Sequence, residues 1–116
     1  MSIKQKTSFY NSIALTADDS SDKVEFQLGI TNLVGYLKVV GADSTTTTDV
    51  DIQTSPDGTN WYDVKSFTQI TGATGSEIIQ FNNTTEHVMR FVRANVDLGV
   101  VLQATVTIEL HYDIVK

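Results

Sequence analysis

The chain has 116 residues and no cysteine, which fits one domain whose fold rests on its core without disulfides. Its formal net charge is −6, and this balance argues against a nucleic-acid-binding role because phosphate contacts dominate affinity for DNA and RNA. The chain shows no apolar run near the ~20 residues of a membrane helix, and no apolar signal-peptide segment follows its first lysines. We expect a single domain over residues 1–116 that binds neither nucleic acid nor membrane.

The predicted elements are all strands, because no helix-length amphipathic stretch occurs. Residues 1–9 are expected to form a flexible N-terminal arm, and a weak strand is expected within 8–15. Leu33 to Val40 is nearly continuously apolar, which is typical of a central strand covered on both faces. Period-two patterns or short β-rich runs predict the remaining strands at 23–28, 49–53, 61–67, 77–81, 88–96 and 105–115.

The last segment has the most regular pattern. Apolar residues alternate with polar ones from Thr105 to Val115, which predicts a strand with one buried and one wet face. Eleven extended residues would span ~36 Å at ~3.3 Å per residue, which is long for a strand. An unpaired edge recruits partners, so we expect this strand to pair with a neighbouring subunit.

About eight strands separated by turn-forming residues predict an all-β fold. Turn signals fall at 17–22, 41–47, 55–60, 71–76 and 82–86. We expect an antiparallel two-sheet β-sandwich, either jelly-roll or immunoglobulin-like, because short strands with regular turns are typical of these architectures. The pattern leaves the strand order open.

The run SPDGTNW at residues 55–61 is the most distinctive local motif. Proline and aspartate favour a turn, Gly58 can adopt positive φ, and Trp61 then enters a strand. The motif predicts a hairpin with a packed tryptophan, or alternatively a loop that contacts a ligand. We name Trp61, Tyr62, Asp57 and Arg93 as candidate contacts for a partner or a glycan.

Other polar residues match no recognised catalytic or metal-binding motif. Asp49, Asp51, Asp57 and Asp63 could supply oxygen ligands to calcium, but their spacing fits no recognised calcium loop, and solvated strand-face acids are the expected reading. His87 and His111 are the only histidines, and they are not clustered. No G-x-S-x-G elbow surrounds a serine. We predict no enzyme, no cofactor and no bound metal.

The two arginines lie in one predicted strand, three residues apart. They should therefore face opposite sides, which places Arg90 in phase with the apolar Val88 and Val92. Such a position requires a bulge, or a buried acid or carbonyl that pairs with Arg90. An oligomer contact is the functional alternative.

Two segments together resemble a known family. Residues 51–64, DIQTSPDGTNWYDV, are similar to the S-x-D-G-T-x-W hairpin of tailed-bacteriophage virion β-sandwich proteins. Residues 89–96, MRFVRANV, resemble the R-[FY]-[VI]-R strand that follows it there, and Val106 to Tyr112 resembles the closing strand. The same two motifs occur in discoidin-like and carbohydrate-binding sandwiches. The similarity covers the chain from Asp49 onward.

The resemblance implies a non-enzymatic structural protein of the virion. A small sandwich of this kind most resembles a head decoration, or cement, protein that binds the major capsid protein or other virion subunits and stabilises the shell. Such proteins act as symmetric homo-oligomers, here a trimer or dimer, in a virion assembled in the host cytoplasm. The alternatives are a tail, head-fibre or neck subunit and a carbohydrate-binding module.

Overall fold

The computed structural model describes residues 2–27, 29–40, 45–72, 74–99 and 103–115. Within these ranges the chain forms ten strands and no helix, so no described helix could cross a membrane. The strands are β1 (Ser2–Leu15), β2 (Asp19–Ser20), β3 (Val24–Glu25), β4 (Ile30–Val40), β5 (Thr47–Ser55), β6 (Tyr62–Ser66), β7 (Ile70–Thr71), β8 (Thr74–Gln80), β9 (Phe91–Leu98) and β10 (Ala104–Val115).

The strands form two antiparallel sheets. Sheet A has the order β1-β10-β4-β8, and sheet B has the order β2-β9-β5-β6, with β3 beside β9 and β7 beside β5. The pairs β2/β3 and β6/β7 each occupy one strand position, so the sandwich has eight positions. Successive positions alternate between the sheets except at the β5–β6 hairpin, which is the wrapping of a jelly roll. The prediction of a two-sheet sandwich is confirmed, in its jelly-roll form.

The core lies between the inward faces of four strands. Alternate residues of β4 and β10 in sheet A face alternate residues of β5 and β9 in sheet B, and the sequence pattern predicted this period-two burial for β5, β9 and β10 but not for β4. The fully buried large side chains include Leu37, Ile52, Ile108, Leu110 and Val96.

The last strand is long, as predicted, but it is not an edge. β10 pairs with β1 on one side and with β4 on the other, so its backbone groups are satisfied within the chain. The expectation that it recruits a neighbouring subunit is wrong, because the alternation of a strand reports its buried face and not its place in the sheet.

The predicted flexible arm is also corrected. Ser2 to Ser8 pair with Val115 to Glu109 of β10, and the strand continues past two register shifts to Leu15. Tyr10 then ties the sheets together, because its hydroxyl donates to Asp19 Oδ2 on β2 at 2.7 Å. Burial and the neighbouring carboxylate raise the pKa of Tyr10 far above its ordinary value, so this hydroxyl keeps its proton.

Other details of the predicted strands also differ from the structure. β4 lies between β10 and β8, but only its inward face is covered, since Lys38 and Val40 are exposed. β8 begins at Thr74, three residues before the predicted start, and β9 begins only at Phe91. Leu28 of the predicted strand 23–28, residues 41–44 and Ala73 of two predicted turns, and Met1 lie outside the described residues.

Gly35 lets an aromatic ring lie against the middle of β4. A Cβ at Gly35 would lie 2.9 Å from the Cζ of buried Phe67 and 3.2 Å from Ile79 Cγ1. Both neighbours are core or partly buried, so neither can withdraw freely. Sheet A therefore needs glycine at this position in order to pack Phe67 over it.

We expect Gly35→Ala to lower the free energy of unfolding by about 1–3 kcal/mol through overpacking. Gly29→Ala is the matched control, because a Cβ there meets nothing within 4 Å, and such a surface change stays within about 0.5 kcal/mol. Urea unfolding of both variants measures the difference. Equal losses in the two variants would contradict the close approach of Phe67.

Candidate functional site on the outer face of sheet B

The β5–β6 hairpin loop is a preorganised turn built around Asp57. The carboxylate of Asp57 accepts the backbone N–H groups of Thr59 and Asn60, each at 2.9 Å, and the side-chain amide of Asn60 at 2.8 Å. Ser55 Oγ donates to the same carboxylate and itself accepts the N–H of Gly58. Gly58 has φ +78°, which few other residues adopt without strain. The prediction that proline, aspartate and glycine form a turn here is confirmed.

These hydrogen bonds hold the pKa of Asp57 well below its usual range. The backbone N–H groups of Asn60 and Thr59 contribute most, followed by the Asn60 amide and the Ser55 hydroxyl. All four donors stabilise the charged form. The carboxylate is thus committed to the loop, and its role is to fix the turn that precedes Trp61.

Trp61 and Arg93 form the centre of the site. The guanidinium carbon of Arg93 lies 4.3 Å from the centroid of the Trp61 ring, which is a close cation–π contact. Arg93 Nε also donates to Gln53 Oε1 at 2.8 Å, and Gln53 Nε2 donates to Asp63 Oδ1 at 2.9 Å. Arg93 therefore covers one face of a partly buried indole, and residues of β5, β6 and β9 form the chain of hydrogen bonds that holds the guanidinium in place.

Two further cations surround Phe91 at the same end of the face. Lys23 Nζ and Arg90 Cζ each lie 5.4 Å from the centroid of the Phe91 ring. Arg90 also pairs with Glu25 on β3. We call this group, Lys23, Arg90, Phe91, Trp61 and Arg93, the basic–aromatic end.

The position predicted for Arg90 is corrected. Because β9 begins at Phe91, Arg90 precedes the strand and its side chain is exposed, so no bulge or buried partner is needed. Phe91 and Arg93 do share the outward face of β9, in alternation with the buried Val92 and Ala94.

The opposite end of the face is acidic. Asp49 on β5 lies directly opposite Asp97 on β9, and Asp51 is two residues further along β5. Removal from water raises the pKa of Asp51; the Ser66 hydroxyl opposes this rise, and the charges of Asp63, Asp97 and Asp49 add to it. The outer face of sheet B is bipolar in the sense that its cations lie at the hairpin end, beside the carboxylates of Glu25, Asp57 and Asp63, whereas the far end is acidic.

The structure places the four candidate contacts in different roles. Trp61 and Arg93 touch, the Asp57 carboxylate serves its own loop, and Tyr62 points away from these groups with 60% of its surface exposed. Lys23 and Phe91 were not singled out as contacts, although the R-F-V-R motif includes Phe91. The four aspartates considered for calcium do not converge, and in the described ranges no three acidic or histidine side chains are arranged to hold a metal ion.

Both histidines are engaged by nearby oxygens. His111 Nε2 lies 3.0 Å from Glu109 Oε1 on the outer face of sheet A, and His87 Nε2 lies 2.9 Å from the carbonyl oxygen of Thr84 in the loop before β9.

Comparison of the chain with protein-family models, with curated proteins and with solved structures found no match.

We expect Arg93→Ala to uncover Trp61. Loss of the cation–π contact should lower the free energy of unfolding by about 0.5–1 kcal/mol and raise the acrylamide quenching constant of the single tryptophan. Acrylamide is neutral, so the change in charge does not alter its local concentration. Arg90→Ala, which removes a cation from Phe91 instead, should leave the quenching constant unchanged; a similar rise in both variants would contradict the assigned contact.

We expect Asp57→Asn to destabilise the protein at pH 7 and to do so less as the pH falls. A native pKa below the unfolded value of about 3.9 contributes stability above that pH, which is lost as the pH falls toward the native pKa. Urea unfolding of both proteins at pH 7 and below pH 4 should show the gap closing. Asp22→Asn is the control, since no hydrogen bond reaches its carboxylate in the described part of the chain; an Asp57→Asn gap that is independent of pH would contradict the loop assignment.

Proposed function

We propose that this chain is a non-enzymatic structural protein of a tailed-bacteriophage virion, a head decoration protein that binds the assembled capsid and stabilises it. The proposal starts from the two motif segments, the S-x-D-G-T-x-W hairpin and the R-F-V-R strand. Their contact through Trp61 and Arg93 is the observation that carries it, because the two segments form one unit of the fold and not two unrelated matches.

The bipolar face of sheet B supports docking to a partner surface. Lys23, Arg90 and Arg93 lie beside two aromatic rings, with Arg90 paired to Glu25, and arginines with aromatic residues are typical anchors of protein interfaces. The acidic far end fixes the orientation of a complementary partner, because like charges brought together are costly. We assign the major capsid protein as that partner, with the basic–aromatic end over an acidic patch of the shell.

Such a protein acts by mass action and not by chemistry. A subunit that binds the folded shell but not its dissociated parts stabilises the shell by an amount that grows with its free concentration. The jelly-roll form supports the proposal as fold-level analogy, since viral capsid domains and lectins both use it.

A carbohydrate-binding module is the second candidate, favoured by one observation. Tyr62, which follows Trp61 in the chain but points away from it, is 60% exposed, and exposed rings stack on sugars. Arg93 already occupies one face of the indole, which leaves a smaller platform than the motif alone suggests. We rank this function below the capsid proposal for that reason.

The test uses particles of the phage that encodes this chain, prepared without it. We expect the purified protein to co-sediment with these particles to a saturating stoichiometry and to raise the temperature at which the shells disassemble. Lys23→Glu should weaken this binding, because it reverses a charge in the basic–aromatic end.

Lys38→Glu is the matched control, since Lys38 is exposed on the outer face of sheet A. Absence of the wild-type protein from the particle fraction would contradict the capsid proposal. Equal binding by both variants would place the interface elsewhere on the protein. Retention on a glycan array together with absence from particles would favour the second candidate.

A further inference from the structure

Strand β8 leaves one side of its backbone unpaired. It pairs with β4 in a regular antiparallel register from Val34↔Gln80 to Val40↔Thr74, and no other described strand pairs with it. The N–H of Phe81 donates to the carbonyl of Leu33 at 2.9 Å, which identifies 33/81 as a hydrogen-bonded pair. Hydrogen-bonded and non-hydrogen-bonded pairs alternate along an antiparallel ladder. The backbone groups of Glu77 and Ile79 therefore bond to β4. The backbone groups that point to the open side are those of Thr74, Ser76, Ile78 and Gln80.

The other edges of the sandwich carry features that hinder pairing. β1 has two register shifts, a positive φ at Ser12, and lysines at positions 4 and 6. β2, β3 and β7 have two residues each, and β6 has five residues with a register shift and Lys65. Bulges, lysines and short strands are the usual protections of a sheet edge. β8 has seven residues with no register shift, no lysine and no proline.

The charge on β8 does not protect its edge either. The Oε1 of Glu77 accepts the N–H of Thr68 at 2.7 Å, so the carboxylate is bound by the loop before β7. On the outer face Ile78 is 71% exposed, the most of any large apolar side chain described, and it lies beside Tyr36 of β4. A regular edge with an exposed isoleucine at its middle is suited to receive another strand.

We propose that β8 pairs antiparallel with β8 of a second copy of this chain, across a two-fold axis that places Ile78 opposite Ile78 of the partner subunit. The inference concerns the free protein and does not depend on the capsid proposal. It joins the two A sheets into one continuous eight-stranded sheet.

A second copy of the chain is the partner that fits the open edge of β8, because β8 is complementary to itself. In this register Ser76 faces Gln80 of the partner subunit, and Glu77 faces Ile79 of the partner subunit, so no like charges meet. A shift by two residues that centres the axis on Glu77 would bring two carboxylates directly opposite, which is destabilising. The chosen register also extends the outer-face stripe of Tyr36 and Ile78 across the axis.

The absence of cysteine from the chain allows a direct test of the register. Directly opposite residues in a hydrogen-bonded antiparallel pair have Cα atoms about 5.5 Å apart, within the usual disulfide range of about 4.4–6.8 Å. We expect Ile78→Cys to form a covalent dimer under mild oxidation. Ser76→Cys and Gln80→Cys should each stay uncross-linked alone and should cross-link when mixed.

The uncross-linked chain is measured by light scattering across a dilution series. We expect the mass of two chains for the wild type and of one chain for Ile78→Lys, which places two ammonium groups on the axis. Ile13→Lys, the same substitution on the protected β1 edge, should keep the mass of two chains. Circular dichroism confirms that each variant is folded.

The salt dependence of dimerisation distinguishes this interface from ionic pairing through sheet B. Two copies with net charge −6 repel each other, so edge pairing should strengthen as salt screens the repulsion. A dimer that weakens with salt, a wild-type monomer at every concentration, or cross-linking of Ser76→Cys alone would each overturn the proposal.

Discussion

The structure depends on the packing of two apolar stripes across one interface. Leu37 and Ile108 of sheet A face the layer that contains Ile52 and Val96 of sheet B, and all four are fully buried. Full burial of such a side chain contributes about 1.5–3 kcal/mol, and no disulfide supplements it. Because each strand alternates, every residue committed to this interface leaves its neighbour facing outward. Any binding function therefore falls to the outer faces, the loops and the edges.

The outer face of sheet B carries unfavourable charge contacts that packing of the core does not require. Asp49 directly opposite Asp97 is an unfavourable cross-strand pair, and the pKa of Asp51 is raised mainly by removal from water and further by the charges of its acidic neighbours. At the other end, Arg93 is held in place by Trp61 and Gln53. A preorganised cation loses little entropy on binding. The face thus combines unfavourable charge with rigid anchors, an arrangement that a complementary partner would relieve.

The sequence predicts the buried faces well and the neighbours of each strand poorly. Alternation from Thr105 onward reports which side of β10 is buried, but the same pattern suits an edge or a centre, so its place between β1 and β4 was missed. The run from Lys4 to Ser8 is polar and shows no alternation of apolar residues. Its sequence therefore predicts a flexible arm, although the structure has a paired edge strand there. The turn at Asp57 is local and was predicted from its residue types. The contact of Trp61 with Arg93 joins residues far apart in sequence, and no local pattern encodes it.

The pairing of β1 with β10 affects how the chain can fold. β1 has no other strand partner among the described residues, and β10 lies about a hundred positions later in the sequence. During synthesis the first strand must therefore wait until β10 has left the ribosome. Such long-range closure is slow, because loop entropy is lost before the contacts form. Until then the inner edges of β1 and β4 are both open, and this interval is when a folding chain is most exposed to mispairing with its neighbours.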